Sequence, residues 1–135
     1  MSVVADAVNL AARVEGTTKL YGARVLITSE TRDAMTKPVG LRVVDRVIAK
    51  GRREPVLLVQ VTDAETAAAA EHLRKGDDAF ARARESYFAG RFAEAAEGFA
   101  SCAEDPTAAV LAARCRELAA TPPAGWDGIW RLDHK

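Results

Sequence analysis

Polar residues are rare in the first stretch of the chain, and those present keep to one side. On a 3.6-residue period Ser2, Asp6, Asn9 and Arg13 share a face, while valine, leucine and alanine fill the positions between them. Residues 6–16 are rich in helix formers and close on Gly16, a residue suited to the left-handed conformation of a helix C-terminus. The spacing therefore predicts a helix over 6–16, buried on most sides and presenting a narrow polar stripe to a ligand or partner. A core helix whose stripe meets water fits the same pattern. Ser2-Val3-Val4 reads as the end of a strand with no earlier strand to pair with, so the sequence is expected to begin inside an architectural unit.

The pattern then changes period. Residues 17–22 read as a connection, and Arg24-Val25-Leu26-Ile27-Thr28 as a short strand. Ser29 is placed to cap a short helix over 29–35, which Pro38 and Gly40 stop. Residues 41–49 alternate as a long strand, with Leu41, Val43, Asp45 and Val47 opposite Arg42, Val44, Arg46 and Ile48. Residues 50–55 form a turn bent at Gly51, and the almost wholly apolar run 56–61 returns as an interior strand. At Asp63 the composition shifts to alanine, glutamate and arginine. Helices are predicted over 65–74, from Asp77 or Asp78 to Gly90, from Phe92 to about Ala100, and after the Asp105-Pro106 cap. The tail 121–135 is broken by proline and glycine but holds Trp126 and Trp130, which are expected to anchor it on the folded part.

Composition narrows the function classes. With 19 acidic and 19 basic residues, no charge argument favours nucleic acid or an anionic membrane surface. No run of apolar residues is long enough to span a bilayer, and no basic region followed by an apolar stretch marks a signal peptide. Cys102 and Cys115 lack metal-ligand spacing and read as small apolar helix residues in a reducing compartment; His72 and His134 read as surface residues.

Two motifs in order carry a resemblance. Asp6-Ala7-Val8-Asn9-Leu10-Ala11-Ala12-Arg13 resembles the VNxAxR signature of class III nucleotidyl cyclases, and Asp45-Arg46-Val47-Ile48-Ala49-Lys50-Gly51-Arg52-Arg53-Glu54-Pro55 resembles the family's second motif at its usual distance. The likeness covers residues 1 to about 62. It implies an α+β chain: the C-terminal half of a ferredoxin-like cyclase domain over 1–62, then an all-α appendage over 63–120 and the tail over 121–135. Residues 87–96, ending at Pro106, resemble one tetratricopeptide-type helical pair, and the whole resembles the end of a bacterial adenylate cyclase.

The resemblance also implies roles. Cyclisation of a nucleoside triphosphate is attack of the ribose 3′-hydroxyl on the α-phosphorus with loss of pyrophosphate, which demands orientation and charge stabilisation. Asn9 would orient the ribose and Arg13 would hold the α-phosphate as catalytic residues. Lys50 would bind the terminal phosphates, and Ser2 would contact the base, which leans toward ATP. Magnesium or manganese is expected for the complete family domain. Its two aspartates, and the lysine that helps read adenine, belong to the half preceding this sequence, and Ala5 stands where glycine is usual. The resemblance thus implies a chain inactive alone, working in the cytoplasm with a second cyclase catalytic domain as in family homodimers. From another class, a non-catalytic helical interaction protein that keeps a cyclase remnant is the competing expectation.

Overall fold

The computed structural model describes residues 15–36, 39–49 and 53–132. The fold is α+β and divides into two compact units, one comprising residues 1–66 and 130–135, the other residues 67–129. The tail is therefore shared between them.

Among the described residues, the first unit opens with helix α1, Glu15–Tyr21. The expected helix over 6–16 otherwise lies outside the described residues, but its expected stop does not hold. The helix runs through Gly16, and residues 17–21, expected as a connection, are helical. The left-handed residue that ends it is Gly22, at φ 63°, and Ala23 N–H donates to Thr18 O at 3.1 Å in a Schellman closure. Fully buried Tyr21 anchors this last turn, and that tertiary contact outweighs the cost of an interior glycine. Strand β1 (Leu26–Thr28) follows, then α2 (Ser29–Ala34), capped one residue earlier than expected because Thr28 Oγ1 accepts from Thr31 N–H.

Strands β2 (Leu41–Ala49) and β3 (Val56–Val61) form the expected antiparallel hairpin. The sheet order is β1-β3-β2-β4, so β3 is interior, in keeping with its apolar sequence, and Leu58, Val59 and Gln60 are buried in succession. Strand β2 is buried on both of the faces that its sequence pattern gives it, with Arg42 and Val44 from one and Asp45 and Val47 from the other. A bulge between Val43 and Asp45 shifts the register, so Arg42 is buried before it, Val44 within it, and Asp45 and Val47 after it. Strand β4 (Trp130–Leu132) pairs in parallel with Val47–Ala49, so the C-terminal tail covers that edge of β2.

Glu65 was expected to open the next helix. Instead a 3₁₀ turn over Thr62–Ala64 follows β3, and Glu65 Oε2 accepts from Arg24 N–H at 2.9 Å and from Gln60 Nε2 at 3.2 Å. Gln60 Oε1 in turn accepts from buried Arg42, at 2.5 Å from Nη2 and 3.1 Å from Nε. Replacing Gln60 by leucine is expected to cost about 2–3 kcal/mol, because donors on a buried cation lose their acceptor. Adding Arg42→Met should recover part of that loss; urea denaturation of the three variants checks both signs.

The second unit holds α3 (Ala67–Lys75), α4 (Asp77–Phe88), α5 (Phe92–Ala100) and α6 (Pro106–Ala120). Gly76, not Asp77 or Asp78, is the N-cap of α4, and the two aspartates occupy its first turn. The cap of α6 is as expected: Asp105 accepts from Ala108 N–H at 3.1 Å, with Pro106 in the first turn. Phe80, Ala83 and Tyr87 of α4, Phe92, Ala95, Ala96 and Phe99 of α5, and Ala108, Leu111, Ala112 and Cys115 of α6 are buried, with α5 packed against both α4 and α6. Helices α4 and α5 approach so closely that a Cβ on Gly98 would stand 2.8 Å from Ala83 Cβ. Glu94 of α5 accepts from Arg91 Nε at 3.1 Å and from Ser86 Oγ of α4 at 3.0 Å, and these bonds hold its carboxyl below the usual value. With the folded pKa depressed, this contact stabilises above the ordinary glutamate range and is lost as pH falls.

Trp126 anchors the tail on this unit. Its Nε1 donates to Tyr87 O at 3.1 Å and Phe88 O at 3.2 Å, satisfying carbonyls at the end of α4, and its ring meets Tyr87 and Phe92.

Candidate functional site

The sequence-identified residues Ser2, Asn9, Arg13 and Lys50 all lie outside the described residues. What the structure describes is the frame that leads to them. Helix α1 begins just downstream of Arg13, and β2 ends at Ala49, immediately before Lys50.

A buried hydrogen bond joins these two elements. The Tyr21 hydroxyl, in the last turn of α1, donates to Asp45 Oδ2 in β2. Tyr21 and Asp45 are each 0% exposed. Asp45 Oδ1 accepts from Arg46 N–H at 2.8 Å, so both carboxylate oxygens are engaged. The β2 bulge turns Asp45 to the buried side, directly after buried Val44. On β2 and β3, the Arg42–Gln60–Glu65 chain of hydrogen bonds ties the strands to the backbone of Arg24 just before β1. The sequence signalled Asp45 only as part of a motif, and Tyr21, Arg42 and Gln60 not at all. A carboxylate within the valine-rich run 43–47 and a tyrosine before Gly22 were the available signs.

Among the described residues, no group of three or more His, Cys, Asp or Glu side chains is placed to hold a metal ion. The magnesium that the resemblance implies has no such ligand group among the described residues. In the helical unit, an open groove of about 720 Å³ is lined by Ala68, Ala69, Cys102 and Pro106, among others. At its rim His72 Nε2 lies 2.5 Å from Glu104 Oε2, with His72 41% exposed. Cys102 and Cys115 are buried thiols outside any disulfide. Among the described residues, no helix is long and apolar enough to cross a membrane.

An α+β chain with this frame is similar, over part of its length, to adenylate cyclases. One relative is the terminal-differentiation-specific adenylate cyclase of Dictyostelium discoideum, 40% identical over 67 residues, which are 47% of this chain and 3% of that protein. Another is an adenylate cyclase of Anabaena cylindrica, 38% identical over 63 residues, 44% of this chain and 12% of that protein. The chain thus spans a small share of these relatives. No family model matches it, and no solved structure does.

Proposed function

We propose that this chain is the C-terminal portion of a class III adenylate cyclase of bacterial type, acting in cytoplasmic signalling on ATP. In this reading residues 1–62 are half of a catalytic domain, and the helical unit is a tetratricopeptide-like appendage. The observation that carries the reading is the 38–40% identity to two adenylate cyclases. The order of the two sequence motifs supports it.

The chemistry assigned to this chain is orientation and charge stabilisation. The Asn9 amide, with a donor and an acceptor on one planar group, holds the ribose so that its 3′-hydroxyl faces the α-phosphorus. Arg13 meets the α-phosphate oxygens with a rigid guanidinium fork as charge builds on them. Lys50 holds the terminal phosphates that leave as pyrophosphate, and the Ser2 hydroxyl contacts adenine. The acidic half of the site comes from a second catalytic domain, and the isolated chain makes no cyclic AMP.

A complementation assay tests this. The chain is mixed with a class III cyclase whose own Asn/Arg helix is disabled by alanine substitutions but whose metal-binding aspartates are intact. Cyclic AMP formation from ATP is expected in the mixture and in neither component alone. Activity from the chain alone contradicts the division of labour, and no rescue by the mixture favours a non-catalytic interaction protein.

A further inference from the structure

We infer that Tyr21 and Asp45 are a positioning pair, a buried clamp that fixes helix α1, which follows Asn9 and Arg13 in sequence, against strand β2, which precedes Lys50. The inference rests on the reading of those three residues as substrate contacts. Neither member of the pair touches substrate; both act through the elements they join.

The cost of the arrangement is the first argument. A carboxylate with no exposure is expensive to bury and persists only where donors surround it. A valine at position 45 would suit a strand whose neighbours Val44 and Val47 are already buried. Instead Asp45 is buried, and its donors include the Tyr21 hydroxyl and the Arg46 N–H. Sheet packing alone gives no reason for this choice, whereas a directional bond to α1 does.

The bulge is the second argument. Without it the alternation beginning at buried Arg42 and Val44 would turn Asp45 to the opposite face. The extra residue re-aims the carboxylate at Tyr21 and at the same time sets the register in which β2 arrives at Lys50.

The third argument is position. The bond holds α1 at Tyr21, the turn closed by the Gly22 Schellman motif, so its C-terminal turn is fixed on β2, and in sequence Arg13 stands two residues before Glu15. A site that orients a nucleophile and a phosphate from two separate segments depends on how those segments are set, and small misplacements there cost rate more than binding.

The test uses the full chain in the complementation mixture, with Tyr21→Phe, which keeps the ring, and Asp45→Asn, which keeps an acceptor. Tyr21→Phe is expected to lower kcat on the order of tenfold with KM for ATP little changed. Asp45→Asn, which can still accept the hydroxyl, should retain most of the rate. Amide hydrogen exchange of the chain alone is the second readout and needs no activity. Tyr21→Phe should speed exchange in α1 and around Asp45, while α4 and α5 stay unchanged and so certify folding. Wild-type rescue with an unaltered kcat in Tyr21→Phe overturns the positioning role, and unaltered exchange overturns the clamp. If the wild-type chain restores no activity, the cyclase reading and the pair's purpose in it fall, and the exchange result still decides whether the clamp exists.

Discussion

Replacing Arg13 with alanine is expected to cut the activity that this chain restores to a disabled cyclase by on the order of 10²–10³-fold, the usual loss on removing one preorganised donor to transition-state charge. The argument is electrostatic. Charge on the α-phosphate oxygens grows as the 3′-hydroxyl attacks, so a guanidinium held there lowers the barrier more than it strengthens ground-state binding. The loss should therefore appear in kcat, with KM for ATP moving little. Arg13→Lys keeps the charge but not the planar fork, and should recover only part of the rate. Steady-state cyclic AMP production by the mixture checks this ordering, and equal rates for the arginine and alanine chains would remove Arg13 from the site.

Phe99→Ala is expected to destabilise the helical unit by about 3–5 kcal/mol. Phe99 is 0% exposed and meets Phe80 edge-on, with ring centroids 5.1 Å apart. Truncation removes the apolar burial, leaves a cavity between packed helices and loses the aromatic pair. Small domains retain only about 5–15 kcal/mol in all, so this single change consumes a large part of the unit's stability. Phe88 provides the comparison: it is only half-buried, so its alanine variant should lose clearly less. Urea denaturation followed by helical circular dichroism measures both, and similar midpoints for the two variants would show that Phe99 is not at the centre of the core.

The two expectations differ in how far the sequence alone supports them. Phe99 could be placed in a core from pattern, because Phe92, Ala95, Ala96 and Phe99 recur at helical spacing and all four are buried. The Asp105-Pro106 cap and the hairpin of β2 and β3 were equally legible, since each depends on residues close in the chain. Arg13 is assigned by resemblance alone, and the Tyr21–Asp45 bond was not legible at all. Tyr21 and Asp45 are far apart in sequence, and nothing in the residues between them announces a shared bond. The stop at Gly16 failed for the same reason: a glycine can end a helix, but the buried Tyr21 further on made continuation worthwhile.

Sequence by itself determined what short-range physics controls. Period, propensity and capping chemistry set the β2–β3 hairpin, the helices that follow it and the interior place of β3. Tertiary structure decided what depends on partners distant along the chain. It put the bulge after Val43, where the pull of Tyr21 on Asp45 overrides the strand's alternation. It drew Glu65 out of a helix and into the Gln60 and Arg24 bonds. It also divided the tail, with Trp126 on the end of α4 and Trp130–Leu132 on the edge of β2, because unsatisfied carbonyls and an open strand edge are needs that only the folded chain exposes.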